Sequence, residues 1–319
     1  MATSSSTVTD TDLISTVHQD IIESHILTRL DGATLASVSC VSSHLHSLAS
    51  NEILWSKICR STWPSCSDGS RSFFSDAYSM VEMETTTAAG SFSDLDRLFP
   101  ELISAVDLRY RGELILSRVV KTETTTAWFQ SSPLRIDLVD GKDTVATPIK
   151  RRRRTEDTCC DLEKDLTLSW IVIDPIGKRA ANLSSHRPVS VQRNWISGEV
   201  EAQFATVVET EECVITVVTC GEEEMHVREV SLKVEKMEGT HLNGGDSLVI
   251  LRKVMEGKRV NGRHREVESK RRHEEFMEKK REMKEKKMRV ESVFDILTVS
   301  FGILGFVSLV VFCLWRTST

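Results

Sequence analysis

Nine histidines and eight cysteines are the residues of this 319-residue chain best suited to metal or nucleophilic chemistry, and their spacing supports neither. His44 and His46 stand two apart in a helical pattern, so they point to different sides and cannot clamp one ion. Cys40, Cys59, Cys66, Cys159, Cys160, Cys213, Cys220 and Cys313 contain no CxxC pair, and the adjacent Cys159 and Cys160 are awkward disulfide partners. Reduced thiols are expected. A phosphate-cradling glycine loop, HExxH and GxSxG are all missing from the sequence, so catalysis, a metal and a cofactor are not expected. The chemistry to look for is apolar docking. Between Val17 and Trp55, three short amphipathic segments follow one another: Ile21, Ile22, Ile26, Leu27 and Leu30 up to Asp31-Gly32; then Leu35, Val38, Val41, Leu45 and Leu48; then Ile53, Leu54, Trp55 and Ile58 after Asn51-Glu52. Three helices in about 40 residues bury little surface alone, which points to a unit that docks on a partner.

This stretch resembles the F-box through Asp20, Ile21, Ile22, Ile26, Leu27, Arg29, Leu30, Leu35, Cys40, Leu48, Leu54 and Trp55. LWSKICRSTWP from Leu54 and FFSDAY from Phe73 look like plant F-box proteins in particular. The sequence departs from the usual pattern at His18 and Asp31, where Pro is common, at Leu45, where Trp is frequent, and by one extra residue between Asp20 and Ile26. The resemblance implies a substrate-recognition subunit of an SCF-type ubiquitin ligase. Such a chain docks on a SKP-type adaptor, and through it on cullin and RING subunits, and acts on an unidentified protein substrate by proximity. It implies adaptor contacts at Ile21, Ile22, Ile26, Leu27, Leu30, Leu35, Cys40, Leu48, Leu54 and Trp55. The alternative is a non-degradative, membrane-anchored binder of peptide, lipid or glycan with a vestigial F-box.

The rest of the chain must position that unit. We expect a disordered start at 1–12, the F-box at 13–63 and a linker at 64–99. Residues 100–257 hold short β-rich runs such as ISAVDLRY, LTLSWIVID and ECVITVVT, the pattern of an antiparallel sandwich or barrel that would hold the substrate. Gly141 to Asp161 reads as an exposed loop carrying the basic cluster Lys150 to Arg154. Glu199 to Glu238 holds eleven Glu against three Lys/Arg, expected to line solvent faces of strands. Trp128, Trp170 and Trp195 are core residues or stacking faces.

The formal net charge is −6, from 41 Lys/Arg and 47 Asp/Glu, so a nucleic-acid partner is not expected. From Lys258 to Glu291 there is a surplus of six positive charges. Five acid-before-base pairs four apart, beginning with Glu266 and Lys270, favour a solvated helix at 258–292 that is attracted to anionic headgroups. Residues 293–315 then read as a transmembrane helix: Ile296 to Trp315 carries no charge and spans roughly 30 Å. A short tail follows at 316–319. With no secretory signal at the amino terminus and the basic block upstream of the span, the expectation is a tail-anchored protein in the lipid bilayer, N-terminus cytosolic. The endoplasmic reticulum is favoured over other endomembranes and the mitochondrial outer membrane. The expected class is α+β: a three-helix F-box, a central antiparallel β-rich domain, a long charged helix and one transmembrane helix.

Overall fold

The computed structural model describes residues 17–66, 69–82, 100–139, 143–150, 155–208, 211–221, 225–260 and 265–317. The expected disordered start, most of the expected linker, Arg151 to Arg154 of the basic cluster and the last two residues lie outside them.

The chain opens with short helices, most of them started by a polar side chain that accepts a free backbone N–H. α1 (Gln19–Ile21) passes into a π turn at Ile22–Ile26 and a 3-10 turn at Leu27–Arg29. Asp31 caps α2 (Gly32–Val38) by accepting from the Thr34 N–H at 2.8 Å. Ser42 caps α3 (Ser43–Ala49) at 3.2 Å, and Asn51 caps α4 (Glu52–Thr62) at 2.9 Å. The sequence pattern put Leu35 to Leu48 in one helix. The cap at Ser42 divides it in two. The expected linker contains a further helix, α5 (Arg71–Tyr78), started by the Ser70 hydroxyl on the Phe73 N–H. α5 buries Phe74 and Ala77 against the F-box helices, with the Phe74 and Trp55 rings 5.2 Å apart. Gly32 makes room for it, since a Cβ there would sit 2.1 Å from the Phe74 ring.

β1 (Met80–Glu82) leads to β2 (Glu101–Tyr110) and β3 (Glu113–Glu123); α6 (Ala127–Ser131) precedes β4 (Arg135–Asp137). α7 (Thr155–Asp165) comes next, although its first half was expected to be exposed loop. Thr158 and Leu162, one turn apart, are buried, which fixes one face of that helix. β5 (Leu166–Asp174), β6 (Arg179–Asn182), β7 (Ser190–Arg193), β8 (Val200–Val207), β9 (Glu212–Cys220) and β10 (Val227–Lys236) complete two antiparallel sheets. One has the order β4-β10-β9-β8-β7 and the other β3-β2-β5-β6. A shared core lies between them, built from Val106, Leu168 and Trp170 on one side and Phe204, Val214 and Leu232 on the other. The sandwich expectation therefore describes the central domain, and Trp170 is core.

Both sheets are also covered outside, which is why β9 is buried almost throughout instead of alternating. With a side-chain period of two, β2 turns Leu102, Val106 and Leu108 inward and Ala105 outward; β5 does the same with Leu168 and Trp170 against Ile171. Ala105, Ile171 and Ala180 pack into the core of the N-terminal helical unit. The opposite face, with Ala205, Cys213, Ile215 and Val217, receives Phe276 from the long C-terminal helix.

α8 (Gly244–Glu256) is followed by β11 (Lys258–Val260), which pairs with β1, and α9 (Arg265–Thr317) closes the chain. The charged helix thus begins at Arg265 and not at Lys258. Its first turns are docked, not solvated: His273 and Phe276 are buried, Lys270 reaches Glu163 at 2.6 Å, and Lys280 pairs with Glu235. Glu235, expected on a solvent face, is 7% exposed beneath that lysine. Of the five expected pairs along the helix, Glu268–Arg272 and Glu285–Arg289 form, at 2.7 and 3.8 Å. Glu266 instead holds Arg187 at 3.2 Å.

Candidate functional site

The extra residue between Asp20 and Ile26 is absorbed by the π turn. The Leu27 N–H reaches back five residues to the Ile22 carbonyl, and a turn of that width takes one more residue than an α turn. Residues five apart then share a side. Ile22 and Leu27 face the core, 2% and 1% exposed, whereas Ile21 and Ile26 face out, 48% and 47% exposed.

The ten residues expected at the docking face therefore divide. Ile22, Leu27, Leu35, Leu48, Leu54 and Trp55 are buried in the unit's own core, where the Trp55 indole N–H donates to the Ala49 carbonyl at 2.7 Å. Leu30 is half-buried against the same core. Ile21, Ile26 and Cys40 are exposed, the Cys40 thiol lying 3.5 Å from the Ala36 carbonyl. Most of the apolar pattern holds the unit together, and only a minority of it is free to touch a partner. Outside the expected set, Val41 and Ile53 are the more exposed apolar residues of the unit, at 67% and 68%. Their signal is an apolar type off the inward stripe, as with Ile53 directly before the buried Leu54 and Trp55. Ile53 opens onto a cleft of about 300 Å³ between the π turn and α4, also lined by Ser24, Thr28, Leu48 and Lys57.

The helical unit is fixed to the sandwich by polar contacts as well as by packing. The Ser65 hydroxyl donates to the buried Asp107 carboxylate at 2.7 Å, and the Trp63 indole N–H donates to the Ser169 hydroxyl at 3.2 Å. Asp76 of α5 accepts from Arg179 at 2.9 Å and lies 3.6 Å from Arg259.

The buried thiols carry no nucleophile. Burial pushes Cys59 up to about 11, with Glu52 adding to it, and pushes Cys66, Cys213 and Cys220 up to about 12, so all four stay protonated. Among the described residues no cluster of His, Cys, Asp or Glu is placed to hold a metal ion.

Comparison with known proteins agrees with the geometry. Residues 22–61 match the F-box-like family model. The chain is 88% identical to the Probable F-box protein At2g36090 of Arabidopsis thaliana, over 321 aligned positions that cover 100% of both chains. It is 42% identical to the F-box protein At2g27310 of the same plant, covering 96% of this chain and 97% of that one. A third relative, F-box protein At3g44326 of Arabidopsis thaliana, is 41% identical over 86% of this chain and 83% of its own length. No solved structure matches. A folded F-box unit with relatives that align along nearly its whole length places this chain in the plant F-box protein family.

Proposed function

We propose that the chain is the substrate-recognition subunit of an SCF-type ubiquitin ligase, docking on a SKP-type adaptor through the outer face of the F-box unit. The observation that carries this reading is the exposure of Ile21, Ile26, Val41 and Ile53 on a unit that packs Ile22, Leu27, Leu35, Leu48, Leu54 and Trp55 inside. Exposed apolar residues beside a cleft are the kind of surface that a partner protein covers. The side chains proposed to touch the adaptor are Ile21, Ile26, Val41 and Ile53. Leu27, Leu35, Leu54 and Trp55 position them. Catalysis belongs to the conjugating enzyme that the RING subunit brings, and this chain contributes proximity.

The sandwich is proposed to hold the protein substrate, and α9 to hold the assembly at a membrane. α9 is long and apolar enough to cross one, and none of its most apolar 18-residue window is buried. Thr298, Ser300 and Ser308 return their hydroxyls to carbonyls four residues back, each at 2.8 Å, which suits them to an apolar surrounding. The test is co-purification of the full chain, in detergent, with a plant SKP-type adaptor and cullin. Stoichiometric recovery supports the reading, and absence of the adaptor from the purified chain overturns it.

A further inference from the structure

A cavity of about 410 Å³ lies where the F-box unit, the sheet holding β2 and β5, and the start of α9 meet. That volume suits a small ligand. Trp63 and Tyr78 line it from the F-box side, Asp107 and Arg109 from β2, and Arg265 and Glu266 from α9. Its two carboxylates are held within the fold, Glu266 by ion pairs and Asp107 by neutral donors that leave its charge in place. Asp107 accepts from the Ser65 N–H at 3.1 Å and from the Ser65 hydroxyl at 2.7 Å. Glu266 is 3.2 Å from Arg187 and 3.9 Å from His186.

Its two guanidiniums are in a different position. Arg109 donates to the carbonyls of Gly112, Thr62 and Ser61 at 3.2, 3.4 and 3.5 Å, and Arg265 donates to the Ser184 carbonyl. Among the described residues neither has a carboxylate within ion-pair distance. Carbonyls satisfy N–H donors but do not neutralise a charge. Desolvation pulls Arg265 down to about 10, and the neighbouring Glu266 restores only part of that. A cation partly withdrawn from water in this way is stabilised by an anion that reaches it. The aromatic wall is already in place: Tyr78 stacks on Phe74 with centroids 5.2 Å apart, and the Trp63 indole is held by Ser169.

We propose that this cavity binds a small organic anion, its acid group held by Arg109 and Arg265 and its planar body lying against Trp63 and Tyr78. Because three parts of the fold line the cavity, such a ligand also stabilises their union by mass action.

The test titrates the full chain, in phosphatidylcholine nanodiscs, with phenyl phosphate, benzoate, inorganic phosphate and neutral benzamide. Tryptophan fluorescence and the thermal midpoint are the readouts. At about 10 mM, enough to saturate a millimolar site, phenyl phosphate and benzoate are expected to raise the midpoint and benzamide to leave it unchanged. Arg109→Gln and Arg265→Gln should each weaken binding by about tenfold or more, the loss of one charge-assisted bond, with circular dichroism unchanged. Tyr78→Leu should weaken phenyl phosphate and spare inorganic phosphate. Should an arginine variant fail to fold, the selectivity of the wild-type chain for acids over benzamide decides the matter. An equal response to benzamide, no response to any of the three acids, or full affinity in folded arginine variants overturns the proposal. Inorganic phosphate binding as tightly as phenyl phosphate removes the role of the aromatic wall. Neither adaptor nor substrate enters the measurement, so its failure leaves the ligase reading untouched.

Discussion

Asp76 of α5 and Arg179 of β6 meet at 2.9 Å across the boundary between the F-box unit and the sandwich. The other Asp76 oxygen lies 3.6 Å from Arg259, whose side chain is only 11% exposed and is otherwise surrounded by the carbonyls of Val254, Met255, Gly257 and Ala180. One carboxylate thus faces two guanidiniums from different parts of the chain. Together with the apolar contact of Ala105, Ile171 and Ala180, it makes the F-box unit and the sandwich a single packed body.

Removing that carboxylate leaves a shielded cation without its counter-charge. Asp76→Ala should cost ~3 kcal/mol, near the lower end for breaking such a pair, and Asp76→Asn less. Urea unfolding of a chain ending at Glu291, followed by fluorescence and circular dichroism, should show one cooperative transition whose midpoint falls in the alanine variant. Two separate transitions in the parent chain would mean that the units fold independently.

Ile21 and Ile53 test docking without disturbing the core, because both side chains already face solvent. Ile21→Asp and Ile53→Asp should each weaken adaptor binding by about 2 kcal/mol, roughly thirtyfold, and leave the unfolding midpoint unchanged. Leu54→Ala with Trp55→Ala also removes binding, but by unfolding the unit, since each truncation empties a packed site at a cost of several kcal/mol. Adaptor affinity unaltered in the two aspartate variants would place the interface elsewhere.

How much of this was legible in the sequence depends on what each pattern reports. Alternating runs such as LTLSWIVID carried the β class, and the spacing of Leu27, Leu35, Leu54 and Trp55 carried the F-box, because burial selects apolar types directly. Which apolar residues remain outside was not legible. Ile21 and Ile26 face out and Ile22 and Leu27 face in through the width of one π turn, which the sequence signals only as one extra residue between Asp20 and Ile26. α5 was readable in principle, from the Ser70 cap and Phe74 one turn before Tyr78, but its polar flanks read as linker. Glu235, within the acidic run ending at Glu238, read as solvent-facing because its partner, Lys280, lies far along the chain.

Mild acid should loosen the docking of α9. His273, 5% exposed, has an Nε2 without a partner, and burial lowers its pKa from 6.5 against a partial rise from Glu274. His186 is lowered as well, by burial first and then by Arg265 and Arg187, with Glu266 opposing. Above about pH 6.5 both side chains are neutral whether or not the helix is docked, so they do not bias the balance. Below it, the undocked form takes up the protons more readily than the docked one, and docking weakens as pH falls. Glu268, held down to about 2 by bonds from Arg271 and Arg272, stays ionised throughout and does not contribute. Hydrogen exchange across residues 265–280, corrected for intrinsic rates, should be faster at about pH 5.5 than at about pH 7.5, and His273→Leu should reduce the difference. Equal corrected rates at the two values would remove the histidines from the docking balance.

The orientation of α9 in a bilayer needs a reporter other than Asn182, although Asn182-Leu183-Ser184 is a formal glycosylation acceptor. Asn182 is 5% exposed, and its side-chain oxygen accepts from the backbone N–H groups of Trp170 and Ser184 at 3.3 and 3.1 Å. It should stay bare on either side of a membrane once the sandwich has folded. The side chains from Val293 to Phe306 point outward with nothing among the described residues packed on them, and Arg281, just past the docked turns, lies twelve helical steps before Val293. As continuous helix those twelve steps hold the globular body about 18 Å from the apolar segment. The basic surplus of the residues between should stay on the cytosolic side with that body. An acceptor site appended after Thr319 should therefore be glycosylated in microsomes, while protease added outside digests everything up to Glu291. The chain should also resist carbonate extraction, and removal of Val293 to Thr319 should release it. A protected sandwich, or an appended acceptor that stays bare while the chain remains carbonate-resistant in microsomes, would reverse the topology and separate the F-box face from a cytosolic adaptor.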